Sequence, residues 1–224
     1  MRITDILGMD LSRAELGEDL LEELVGLLLR HEQGQRHPAG EVEGPGTTKA
    51  KDGGRDVVVV VMGAPSTPRA AYAESLTWDE VGRTWYSCKS GHTWRRGVDK
   101  DLKLEAVRKA RKSGKDAPGP RTRRPRLEVL SHVARGHRYV VVTDQRTSDS
   151  QSSKLVADLS LAFEFWLRDA QLGVPATLAQ QIALIDGNRL AAYLRAHRLR
   201  LPTRLREPLG LQDAPGLESW EQWG

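Results

Sequence analysis

Residues 56–62 read DVVVVVM, and they set the layout of everything around them. Five consecutive valines are β-branched, apolar on both faces and too short a run for a convincing helix, which describes a buried central strand. Before it, residues 34–54 (GQRHPAGEVEGPGTTKAKDGG) are rich in Gly, Pro and polar side chains and read as a loop or short irregular strand. Further back, residues 14–32 place Leu16, Leu20, Leu21, Leu24, Val25, Leu27 and Leu28 at the i, i+3, i+4 spacing of an amphipathic helix.

After the valines comes a polar, proline-containing insertion over residues 63–83, and then TWYSCKS at residues 84–90, whose alternation reads as a second core strand. A crossover helix is expected over residues 99–112, where Leu102, Leu104, Val107 and Ala110 sit among charges, followed by a basic loop over residues 112–126. RYVVVTD (138–144) and QIALID (181–186) read as the next two strands. Residues 153–170 form a strong amphipathic helix and residues 187–198 a shorter one. Helices alternating with strands in this order argue for an α/β protein with a central mixed β-sheet flanked by helices. One folded domain over residues 1–201 and a tail or linker over residues 202–224, leading toward a further module, is the expected organisation.

Composition narrows the function. Apolar residues at 39% and charged residues at 29% fit an ordinary soluble protein, and no window approaches the roughly 18 apolar residues of a membrane helix. No membrane partner is expected. The first residues lack the apolar core of a secretory signal, so a cytoplasmic location is expected. A single cysteine, Cys88, excludes an intramolecular disulfide and a thiolate-rich zinc site. The six histidines show no metal-ligand spacing, and no phosphate-binding GxxxxGK[ST] loop is present.

Charge is concentrated rather than spread. Residues 95–126 hold thirteen basic and four acidic side chains, a net +9, which leaves the rest of the chain at −5 within a total of +4. Such a field attracts a polyanion and supplies sequence-independent affinity for nucleic acid through counterion release. Arg95, Arg96, Lys100, Arg121, Arg123, Arg124 and Arg126 are the candidate phosphate contacts.

Two segments carry the chemistry. In KDGGRDVVVVV (51–61), Gly53 and Gly54 allow a tight turn, and Asp56 can project a carboxylate from the start of the strand. In WYSCKSG (85–91), Lys89 ends the next strand on the same face as Ser87, while Cys88 points the other way, into the core. Adjacent strands would bring Asp56 and Lys89 together. A carboxylate holding magnesium beside a lysine provides the parts for phosphodiester hydrolysis.

This pattern resembles the PD-(D/E)xK nuclease superfamily and, within it, the Mrr-like restriction endonucleases, with their DGG.D turn, apolar strand and Q.K or E.K ending. The matching residues are Asp52, Gly53, Gly54 and Asp56, then Ser87, Cys88 and Lys89; LEELVGLLL (21–29) places Glu22 where that family carries a glutamate in its first helix. The resemblance covers about residues 16–197. It implies a restriction-endonuclease-like core with Asp56, Lys89, Ser87 and Glu22 as catalytic residues. It also implies Mg2+ or Mn2+ held by Asp56, Glu22 and the Cys88 backbone carbonyl, and double-stranded DNA as substrate. Similar domains serve as effectors in defence against foreign DNA beside a sensor or nucleotide-binding module, in one complex or a longer chain; a homo-oligomer is compatible with this.

Ser87 departs from the pattern, since a hydroxyl is a weaker metal ligand than Gln or Glu. Three alternatives stay open: Ser87 acts through an ordered water, Glu22 and the Cys88 carbonyl complete the metal shell, or activity is lost and a DNA-binding module remains. An RNA-directed nuclease is a further alternative.

Overall fold

The valine run becomes the second strand of a five-stranded mixed sheet. The structure is a computed structural model that describes residues 11, 16–44, 55–114, 124–197, 201, 203–206 and 209. In chain order the elements are α1 (Glu18–Arg36), β1 (Glu41–Glu43), β2 (Val57–Val61), β3 (Gly82–Lys89), α2 (Trp94–Leu102), α3 (Leu104–Lys112), α4 (Leu127–Ala134), β4 (Arg138–Thr143), α5 (Asp149–Asp169), α6 (Leu178–Gln181), β5 (Ile182–Ile185), α7 (Gly187–His197) and α8 (Thr203–Arg206). Strand order follows sequence order, β1-β2-β3-β4-β5. β1 pairs with β2 and β2 with β3 antiparallel, and β3, β4 and β5 are parallel.

Side-chain alternation divides the core into two layers. Val57, Val59, Val61, Tyr86, Cys88, Val140 and Val142 face one way and pack against Leu21, Leu24, Leu28 of α1 and Leu190, Leu194 of α7. Val58, Trp85, Tyr139 and Val141 face the other way, against α2, α3, α4 and the Leu159, Phe163, Trp166 face of α5. The long α5 starts in a capping box: Ser148 Oγ accepts the Gln151 N–H at 3.3 Å, and the Gln151 side chain accepts the Ser148 N–H in return. Among the described residues no helix is long and apolar enough to cross a membrane.

The expected single crossover helix over residues 99–112 is instead two helices. α2 begins earlier, at Trp94, and Lys103 breaks the run in the left-handed region at φ 54°, ψ 41°. The break frees the Leu102 carbonyl, which accepts the indole N–H of buried Trp166 at 2.9 Å. A buried indole needs an acceptor, and an unbroken helix would have used that carbonyl itself. The irregular stretch after α1 contributes the three-residue strand β1, and α4 occupies residues that the sequence pattern left unassigned. Asp52, Gly53 and Gly54 of the expected turn, and Arg121 and Arg123 of the basic loop, lie outside the described residues.

Candidate active site at the end of the sheet

The antiparallel pairing of β2 with β3 puts the start of one strand beside the end of the other, so Asp56 and Lys89 share one edge of the sheet. Asp56 donates its main-chain N–H to Tyr86 O at 3.0 Å. Its carboxylate Oδ2 accepts the Cys88 N–H at 2.6 Å, an acceptor role that a main-chain carbonyl plays within a regular ladder. This charged hydrogen bond fixes the carboxylate at the rim. Lys89 Nζ lies 3.9 Å from the same Oδ2.

Two further carboxylates close on the lysine, one from each helical layer. Glu18, in the first turn of α1, meets Nζ at 3.1 Å, and Asp101 of α2 stands at 3.4 Å. The Lys89 side chain is only 11% exposed. Burial by itself would lower its pKa, but Asp56, Asp101 and Glu18 outweigh burial and raise it, so the ammonium stays charged at neutral pH. Glu22, one turn along α1 from Glu18, feels the opposite. Burial first, then Asp56, Glu18 and Asp19, push its carboxyl up to about 7, with Lys89 pulling weakly back. The site therefore carries more negative charge than its one lysine neutralises.

That surplus is the observation by which a divalent cation can be tested. Among the described residues no group of three or more His, Cys, Asp or Glu side chains is arranged to hold a metal. Magnesium, however, takes one or two protein carboxylates and fills its remaining positions with water and substrate phosphate, and hard oxygen donors are what Asp56 and Glu22 offer. The donor set fits Mg2+ or Mn2+ at that partial level.

The other expected site residues fare differently. Ser87 is 1% exposed, and its hydroxyl lies beneath the sheet beside Tyr139 without a well-formed hydrogen bond. Cys88 is buried in the α1 layer, where burial raises its thiol pKa well above the ordinary value. The contact its main chain makes with Asp56 is as a donor. Arg95, Arg96 and Lys100 are exposed on α2, the helix that also carries Asp101. Arg126 is exposed at the start of α4, whereas Arg124 is engaged in an ion pair with Asp169 at 2.8 Å. Arg108 is similarly tied to Asp158 at 2.9 Å.

Glu18, Asp101 and Asp144 are site residues that the sequence reading missed. Asp144, fully buried after β4, accepts the Gly91 N–H at 3.0 Å and so fastens the turn that follows Lys89. Glu18 had a signal, its position four residues before Glu22 on the same helical face. Asp101 had a fainter one, as one of four acids in a strongly basic run. Comparison of the chain with protein-family models, with curated proteins and with solved structures gives no match.

Proposed function

We propose that this chain is a magnesium- or manganese-dependent endonuclease with a restriction-endonuclease-like core, hydrolysing phosphodiester bonds of double-stranded DNA. The observation that supports it most is the meeting of Asp56 and Lys89 at one rim of the sheet, between the carboxylates of α1 and the exposed cations of α2. Asp56 and Glu22 would hold the cation, which when bound polarises the phosphodiester and lowers the pKa of water. Lys89, kept charged by its carboxylate neighbours, is suited to stabilising negative charge on the phosphate as it builds up, and unsuited to being a general base. Arg95, Arg96 and Lys100 would grip the phosphate backbone, which positions a duplex without reading its sequence. A role as an effector against foreign DNA, alone or beside a sensor module, extends this reading on the resemblance.

Ser87 favours a second reading. Where the resemblance calls for Gln or Glu, a buried hydroxyl leaves the rim one ligand poorer, as in a DNA-binding module without catalysis. Incubating the protein with supercoiled plasmid in Mg2+, in Mn2+ and in excess chelator separates the two. The nuclease reading expects nicked and linear forms only with a divalent cation. Salt-sensitive binding of the plasmid with no cutting under any of these conditions would establish the module instead.

A further inference from the structure

Beyond the pair that the sequence singles out, Lys89 has a second wall. α2 passes so close that a methyl group built on Gly97 would stand 2.9 Å from Lys89 Cδ and 3.7 Å from Cγ and Cε. Four residues on, and so on the same helical face, Asp101 meets the ammonium at 3.4 Å. Gly97 thus leaves a channel for the lysine stem, and Asp101 meets the head at its end. Glu18 reaches the same ammonium from the other helical layer.

Alternatives within α2 make the arrangement specific. Arg96 and Lys100 form the adjacent exposed stripe, so the helix presents cations to solvent and a gap plus a carboxylate to the lysine. Asp101 is only partly exposed and sits in the most basic segment of the chain, yet its ion pair is made with Lys89 on β3. A flexible four-carbon stem loses considerable rotamer freedom when its head is fixed in one place. Two walls and a terminal carboxylate are what such fixing requires.

We propose that Gly97 and Asp101 are positioning residues, a cradle on α2 that aligns the Lys89 ammonium over the rim where Asp56 lies. This rests on the proposed phosphodiester chemistry for its purpose, but not for its existence.

The test reads the lysine directly. In protein labelled with 15N and 13C at lysine, the order of the Lys89 side chain is measured by relaxation, with Lys89→Arg identifying its signals and exposed Lys112 as the mobile reference. Lys89 is expected to be far more ordered than Lys112. Asp101→Asn and Gly97→Ala should shift it most of the way toward Lys112 or into a new position, and Asp101→Glu should restore the order. In protein that cuts DNA, Asp101→Asn should lower kcat about tenfold while KM changes less than twofold, since α2 keeps its phosphate-facing cations. A Lys89 as mobile as Lys112 in the unsubstituted protein, or one unmoved by Asp101→Asn, overturns the cradle. An unchanged kcat in an active enzyme whose lysine has been loosened overturns the positioning role of Gly97 and Asp101 in cleavage. If the protein cuts no DNA, the nuclease reading fails, and the relaxation comparison still decides whether α2 holds the lysine.

Discussion

Arg36 and Lys89 are both cations withdrawn from solvent, and each meets carboxylates from more than one element, but their surroundings are balanced differently. Arg36 and Glu32 are both 0% exposed and pair at 2.9 Å within α1. Arg36 also donates to Ser75 Oγ at 2.9 Å, Thr77 Oγ1 at 2.6 Å and Thr67 O at 3.0 Å, and it pairs with Asp79. Glu32 in turn accepts the main-chain N–H groups of Leu76 and Thr77 at 2.7 and 3.2 Å. Donors and acceptors close on one another, and the polar insertion over residues 63–83 is thereby sealed onto α1. Around Lys89, by contrast, Glu18, Glu22, Asp56 and Asp101 outnumber one ammonium, and burial first, then Asp56, Glu18 and Asp19, push the Glu22 carboxyl up to about 7. A closed network holds shape, whereas an open surplus of charge is what a cation or a phosphate can complete.

The sharpest way to break this comparison is to remove one member from each centre. Asp56→Ala and Lys89→Ala should each lower the rate of plasmid cleavage by about a thousandfold or more, several kcal/mol of transition-state stabilisation, while the melting temperature moves by only a few degrees. Cleavage at the original rate by either purified variant would remove Asp56 and Lys89 from the chemistry. Arg36→Ala should do the reverse. It strands a buried Glu32 and should cost about 3–5 kcal/mol in urea unfolding, with the residual folded protein still cutting. A variant of unchanged stability would mean that the Glu32 network repairs itself without the guanidinium.

A third prediction uses pH. In metal-free protein, the Glu22 carboxyl has a folded pKa of about 7, above its ordinary 4.5. It therefore costs nothing while both states are protonated, below pH 4.5, and penalises the fold increasingly as pH rises from 4.5 through 7. Glu22→Gln should stabilise the protein by about 1–2 kcal/mol at pH 8, after allowance for solvent screening, and by nothing at pH 4. Equal gains at both pH values would point to packing rather than charge. The smallest effect is expected at Ser87. Ser87→Ala removes a buried hydroxyl with no well-formed partner and should change stability by about 1 kcal/mol or less, with cleavage within a few-fold of the unsubstituted protein. Loss of cutting comparable with Asp56→Ala would make the hydroxyl part of the machinery.

The sequence made some of this visible and hid the rest for physical reasons. The valine run and the alternation through Trp85, Tyr86, Ser87 and Cys88 are local patterns, and they suffice to put Asp56 and Lys89 on neighbouring strand ends. Alternation also places the Cys88 thiol in the core, as the structure has it. Glu32, at the end of the expected helix, and Arg36, in the expected loop, show no sign of burial in the sequence because their partners Ser75, Thr77 and Asp79 come from a distant segment with no periodicity. Lys103 was hidden similarly: nothing around it signals a left-handed turn, since the acceptor that makes the turn worthwhile is claimed by Trp166, far along the chain. α4 escaped because its eight residues span barely two turns and leave Leu127 exposed, which blurs the apolar stripe.

The indole of Trp166 has a reach that its place in the interior conceals. By taking the Leu102 carbonyl, it ties the end of α2 to α5 just before the break at Lys103, and α2 carries both the cations that face solvent and the wall against Lys89. On the proposed reading, the placement of those cations against a duplex is thus anchored from inside the protein, much as a keel sets a course that the sail only follows. Trading that one indole hydrogen bond for plain hydrocarbon would leave every charge in the sequence and still release the end of α2 from its anchor.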